Sequence, residues 1–435
     1  MNFKNNPLLR NILVFFSGNI VALAATIGVQ FFLPKLLSIE EYGLYKSFAL
    51  YLSYTSLFHF GLKDGIYIAL CQAIDFDKHK NYIYFSILVL QQLILFSLMF
   101  IASFFFEFPI KIILICLSLA SFFFIINTYY DALFQSKKKF KTVSVLKVLK
   151  ELSFFVLLIL VYVFFESPNI KLILSAFLIS IILTFFVYTH VSKKWIGLKV
   201  ISKTDFIQII RPVYKRGFRL IAGNFGHQIN TNADKLFVSL FYSIELFAYY
   251  SFGGMFFVLT NTFVNSIGTV LLPFLFKEYK HNLVYKHNQL MKLTTSFSVV
   301  LFIYLIGVFY FVKYFYSDYV SSIQIIALFY IGMVYNFKIN IIQNNFLKTL
   351  GLDKQYIRNN YITLCVFVFI MLLLYVLKTD IIFFAFCTSL IMYLRSKFNL
   401  KAINSKLNEK KTYWLDDILI FTLGILGFVY AKYFI

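Results

Sequence analysis

A few charged residues stand inside long apolar stretches of this chain, and their types limit what it can bind. Lys46, His59, Lys63 and Asp64 lie within 42–71, and Asp131 within 110–134. Arg219, His227, Asp234 and Lys235 lie within 213–240, and Lys338 sits within 320–347 among Asn336, Asn340, Gln343, Asn344 and Asn345. A charge at mid-bilayer costs about 2.5–3.5 kcal/mol on insertion scales, so such residues face protein or water and mark a path for polar cargo. The cations Lys46, Lys63, Arg219, Lys235 and Lys338 outnumber the acids Asp64, Asp131 and Asp234. A surplus of positive charge asks for an anionic guest. The five cations are therefore candidate substrate contacts. The three aspartates are candidates for coupling to H+ or Na+, and no other cofactor is expected. His59, His227 and Asn230 would add polar lining.

Spacing sharpens this reading. Arg219, Gly223, Gly226, His227, Asn230 and Asp234 fall on one helical stripe. At about 1.5 Å per residue the stripe runs about 22 Å, most of a bilayer core. A continuous helix over 42–71 would set Lys46, Ser53 and Asp64 on one face, with His59 and Lys63 about 100–140° round. A competing reading is that the charges pair with one another and hold helices together, as neighbours such as Lys63 and Asp64 could.

The elements that must position these residues are transmembrane helices. Hydrophobic residues make up 60% of the 435 and charged ones 14%, against about 45–50% and 25% in soluble domains. Runs of about 20 apolar residues occur thirteen times: 9–33, 42–71, 82–106, 110–134, 144–165, 169–191, 213–240, 244–275, 289–313, 320–347, 356–377, 380–401 and 414–434. The runs are continuous and lack the period-two pattern of a barrel. "ALAA" at Ala22–Ala25 has the form of a signal cleavage site, but the apolar run continues to Leu33, so the segment reads as a retained span. Seven alternate loops and their flanks hold 31 of the 41 Lys and Arg, and the opposing loops hold six. That asymmetry places the N-terminus in the cytoplasm. It also accounts for most of the +22 net charge without nucleic acid, and sets runs such as Lys137–Lys141 against anionic lipid. The four cysteines have neither disulfide-frame nor metal spacing.

The chain repeats itself. "SIEEYGLY" at Ser38–Tyr45 returns as "SIELFAYY" at Ser243–Tyr250. Each fills an outward-facing turn and opens a helix, with Ser38 and Ser243 as N-caps. Glu41 completes a capping box, and Leu246 cannot. A second echo pairs "FQSKKKFKTVS" (134–144) with "LKTLGLDKQYIRNN" (347–360). Both echoes fit an offset of six spans. The expected fold is thus an all-α polytopic membrane protein of two pseudo-symmetric six-helix bundles, 1–203 and 204–411, with an additional transmembrane helix at 412–435, whose start at Asp416 and Asp417 would also suit a helix lying along the membrane surface. Parallel halves of this kind are a transporter plan, and a basic chamber between them could open to either side.

"LPKLLSIEEYGLYKSF" (33–48), "FGLKDGIYIAL" (60–70), "NADKLFVSLFYSIELFAYYS" (232–251) and "FQSKKKFKTVS" resemble the polysaccharide flippases, of O-antigen and capsule type, in the multidrug/oligosaccharidyl-lipid/polysaccharide exporter superfamily. Ala248, where the family usually has Gly, and the thirteenth span depart from its pattern. The resemblance implies a cavity between two six-helix bundles. It also implies movement of an undecaprenyl-pyrophosphate-linked oligosaccharide to the outer leaflet of a bacterial inner membrane by alternating access. Expected partners are that lipid-linked oligosaccharide, membrane lipids, and a glycan polymerase with glycosyltransferases; no nucleic acid is expected. Two rivals remain. A drug/cation antiporter of the same superfamily would favour an acidic cavity. A glycan polymerase or acyltransferase would be an enzyme, but the external loops are short and no HExxH, GxSxG or P-loop pattern occurs.

Overall fold

The computed structural model describes residues 7–72, 77–276, 280–409 and 412–433, with some side chains in 7–19, 219–230 and 265–281 outside that set. Among the described residues there is helix and no strand. The helices are α1 (Pro7–Leu36), α2 (Ile39–Thr55), α3 (Leu62–Gln72), α4 (Lys78–Ser103), α5 (Ile110–Ser136), α6 (Phe140–Phe164), α7 (Ile170–Ser192), the single turn α8 (Lys203–Asp205) and α9 (Arg211–Phe241). They continue as α10 (Ile244–Phe276), α11 (Lys280–Phe315), α12 (Ser322–Phe337), α13 (Asn344–Thr349), α14 (Asp353–Val376), α15 (Ile382–Leu407) and α16 (Trp414–Tyr433). Two stretches wind as π-helix, Phe206–Ile210 before α9 and Lys338–Gln343 between α12 and α13.

Seven helical stretches among the described residues are long and apolar enough to cross a membrane: Lys78–Ser103, Ile110–Ser136, Ile170–Ser192, Asn282–Phe315, Ser322–Thr349, Asp353–Val376 and Trp414–Tyr433. The other expected spans fall on α1, the α2–α3 pair, α6, α9, α10 and α15. Outward faces are apolar, as in Leu93, Ile94 and Leu98 on α4 and Phe369, Leu372 and Val376 on α14. Hydrocarbon is the solvent these faces suit, and a helix satisfies its own backbone there.

The caps follow the sequence. Ser38 Oγ accepts the Glu41 N–H at 3.3 Å and the Glu41 carboxylate accepts the Ser38 N–H at 3.4 Å, closing the box. Glu41 Oε1 also accepts the Ile170 N–H at 3.0 Å, which ties the start of α7 to that of α2. At the second copy Ser243 Oγ accepts the Leu246 N–H at 3.3 Å, without a returning carboxylate.

The chain folds as two compact units, Met1–Phe225 and Gly226–Ile435. The division therefore falls within α9 and not at residue 203. In the first unit α1 lies along α6, α4 along α5, and both α5 and α6 pack on α7. Its core sets the aromatic rings of Phe85, Tyr129, Tyr130, Phe134 and Tyr188 among aliphatic side chains such as Leu62, Ile83, Leu88 and Leu133. In the second unit α12 is the central element. It packs against α10, α11, α15 and α16 and is buried along nearly its whole length. α16 is thus part of this unit's packing.

One expected element is not continuous. The run 42–71 breaks between α2 and α3, where Phe60 (φ 46°) and Gly61 (φ 83°) are left-handed. The break accommodates the first part of α9, which belongs to the same unit. A Cβ on Gly61 would lie 2.4 Å from the Gly217 carbonyl carbon, and one on Gly217 would lie 1.8 Å from the Gly61 oxygen. Two backbones meet there with no room for side chains. Lys46 and Asp64 consequently do not share a helix face.

Candidate functional site

The break between α2 and α3 builds a partly exposed charged cluster in the first unit. His59 is buried and its Nδ1 accepts the Gly61 N–H at 3.0 Å. A neutral imidazole in that position keeps its proton on Nε2, which lies 4.0 Å from Asp64 Oδ2. Lys63 Nζ lies 3.6 Å from Asp64 Oδ1, and the two side chains are 24% and 20% exposed. Nearby, Gln91 Nε2 donates to the Phe58 carbonyl and Tyr214 donates to Gln91 Oε1, both at 3.1 Å. The structure therefore brings together His59, Lys63 and Asp64, three of the residues singled out in the sequence.

Lys46 sits elsewhere on α2. Its Nζ donates to Gln30 Oε1 on α1 at 2.5 Å and lies 5.1 Å from the Tyr42 ring centre. Asp131 is half-buried on α5 and accepts a short hydrogen bond from the Tyr188 hydroxyl of α7. A second pair lies near, where Thr26 of α1 donates to Glu151 of α6 at 3.3 Å and Lys150 pairs with Glu151 at 3.3 Å.

In the second unit Asp234 is buried and accepts from the Tyr250 hydroxyl at 2.8 Å and the Thr388 hydroxyl at 3.2 Å, joining α9, α10 and α15. Lys235 beside it is half-buried. Arg219, His227 and Asn230 lie on α9 with side chains outside the described residues.

Lys338 opens the π-helical stretch and is 1% exposed. Its Nζ lies 3.7 Å from Asp417 Oδ1 on α16. Tyr335 donates to the same oxygen at 2.7 Å, and Lys397 of α15 makes a short contact with Asp417 Oδ2. The rings of Tyr335 and Tyr413 each stand 5.6 Å from the Lys338 ammonium. Lys338 is thus held by an acid and two aromatic faces, the arrangement that the competing helix-pairing reading describes.

Along the same stretch runs an amide ladder. Asn336 Nδ2 donates to Asn261 Oδ1 on α10 at 2.9 Å, Asn340 donates to Asn336 Oδ1 at 2.8 Å, and Asn344 donates to Asn340 Oδ1 at 2.9 Å. These amides are partly buried and present a row of donors and acceptors. Sequence reasoning noted three of them but missed Asn261. It also passed over Asp417, whose two-aspartate helix start suggested a surface position, and Gln30, Tyr188 and Lys397. Long-range partners of this kind leave no periodic mark in the sequence.

Comparison with known proteins gives three findings. The profile of the polysaccharide biosynthesis protein family matches residues 8–279. No curated protein matches the chain. Among solved structures, lipid II flippase MurJ in an inward closed conformation superposes with a TM-score of 0.69 over 98% of each chain at 15% identity. A MATE transporter in complex with MaL6 superposes with a TM-score of 0.55 over 97% of this chain and 95% of that one at 11% identity. A MATE transporter in its straight conformation gives 0.53 over 98% and 96%, also at 11%. At these identities the likeness speaks for the fold, and the family match covers more than half of the sequence. The chain belongs to the polysaccharide biosynthesis protein family.

Proposed function

We propose that this protein moves an undecaprenyl-pyrophosphate-linked oligosaccharide, of O-antigen or capsule type, across a bacterial inner membrane by alternating access. The observation that carries the reading is the partly exposed Lys63 side chain at the break between α2 and α3, in a chain of this family. Asp64 lies on one side of the Lys63 ammonium, and a phosphate oxygen would suit another. Lys46 and Arg219 would serve the same anionic headgroup. The Asn261–Asn336–Asn340–Asn344 ladder offers amides for sugar hydroxyls. Asp64, between His59 and Lys63, is the best placed of the three aspartates to exchange a coupling H+ or Na+; Asp131 and Asp234 are already held by hydroxyls. The basic-loop asymmetry supports a cytoplasmic N-terminus. A glycan polymerase and glycosyltransferases would supply and consume the cargo.

Proteoliposomes loaded with the pyrophosphate-linked oligosaccharide test this. Expected is protein-dependent appearance of the glycan on the opposite leaflet, abolished by Lys46→Ala with Lys63→Ala while the protein stays folded. Transport unchanged by the double substitution, or movement of an organic cation drug in place of the glycan lipid, would overturn it.

A further inference from the structure

We propose that a groove within the second unit, between the first turns of α14 and the last turns of α15, binds the phosphate headgroup of an anionic phospholipid. The groove has a volume of about 600 Å³ and is lined by Gln355, Arg358 and Ile362 of α14 and Phe398, Lys401 and Lys406 of α15, among others. The two helices run antiparallel, and Asn359 Nδ2 donates to Asn399 Oδ1 at 3.1 Å, which fixes their register. Arg358 and Lys401 are therefore nearly level. Lys406 lies about a turn toward the start of α14, and Ile362 with Phe398 about a turn the other way.

The three cations are exposed. Among the described residues, none of them is in an ion pair with a carboxylate. Past Ile362 the outward face of α14 stays apolar through Phe369, Leu372 and Leu373. Charge thus gives way to hydrocarbon along one axis, the pattern of an amphiphile with an anionic head. Arg358 supplies a fork for two phosphate oxygens, and Lys401 and Lys406 supply point charges. A free phosphate would satisfy the cations and leave Ile362 and Phe398 uncovered, so a lipid is the better fit. The groove contains none of the residues assigned to the transported cargo. The inference requires only that the chain resides in a membrane.

Native mass spectrometry of the full-length protein, released from micelles containing equal phosphatidylglycerol and phosphatidylcholine, reads the preference directly. Expected is retained phosphatidylglycerol in clear excess, by about fivefold for each basic residue engaged. The excess should disappear in the Arg358→Gln, Lys401→Gln, Lys406→Gln variant. Equal retention of the two lipids by the wild-type protein overturns the proposal without any variant having to fold. So does a triple variant that keeps the preference. If millimolar inorganic phosphate strips the bound phosphatidylglycerol, the apolar half of the groove contributes nothing and the lipid assignment falls.

Discussion

Lys63 and Lys338 make an instructive pair. Each is a lysine among apolar helices, and each has a carboxylate oxygen at nearly the same distance, 3.6 Å for Lys63 and 3.7 Å for Lys338. Lys63 takes its aspartate from the next residue, at a helix break, and about a quarter of the side chain stays exposed. Lys338 takes its aspartate from the last helix, shares it with Lys397 and Tyr335, and is shut away. A nearby acid therefore does not by itself tell a binding cation from a structural one. Burial and the number of partners do. In this protein the first unit leaves a lysine partly exposed, where the proposed function needs one, and the second uses one to hold α16 against α12 and α15.

The comparison can be broken most severely at Asp417. Asp417→Ala should destabilise the protein by about 3–5 kcal/mol, because it strands Lys338 as a buried, unpaired charge. Replacing both partners, as Lys338→Met with Asp417→Leu, should restore most of that loss in thermal unfolding of the purified protein. A double variant as unstable as the single one would show that the pair does not hold these helices. Next in size, if the proposed substrate is right, Lys63→Gln should weaken binding of a pyrophosphate-linked oligosaccharide by about 1.5–3 kcal/mol, the range for a hydrogen bond to a charged group. Its melting temperature should stay near that of the wild type; a titration of substrate against both proteins reads the difference.

Gly217→Ala should cost about 1–3 kcal/mol through overpacking against Gly61. Gly307→Ala is the control, since a Cβ there meets nothing within 4 Å, and unfolding midpoints of the two should differ accordingly. A smaller contrast lies between the repeated turns. Ser38→Ala should cost about 1 kcal/mol and Ser243→Ala less, because only the first copy has a returning Glu41. The smallest effect is on pH. Asp77, in the turn before α4, accepts the Lys80 N–H, and that bond holds its carboxyl below the usual range. A depressed carboxylate adds stability at neutral pH that fades as pH falls through its folded-state value. Asp77→Asn should therefore slightly flatten the acid limb of the stability profile.

Much of the architecture was legible because apolar length and capping chemistry are local. The start of α2 at Ile39 follows from Ser38 and Glu41, and the repeat at Ser243 from the same octapeptide. The split of 42–71 was not legible. Gly61 reads as one glycine in an apolar run, and only the approach of Gly217, about 150 residues on, makes the left-handed turn necessary. The site divides the same way. The count of cations over acids found Lys46, Lys63 and Lys338 alike, but Asp417 was set aside with the last helix. Sequence spacing could not show that α16 lies beside α12 and turns Lys338 inward.

The most direct test sets Lys63→Gln beside Lys338→Gln and measures glycan-lipid flipping per folded molecule, with membrane abundance taken from the same samples. If the two lysines have the roles assigned, Lys63→Gln is abundant and flips little, whereas Lys338→Gln is scarce and its surviving molecules flip at close to the normal rate. Abundant Lys338→Gln that cannot flip, or Lys63→Gln that flips normally, would contradict the division of labour between the two units.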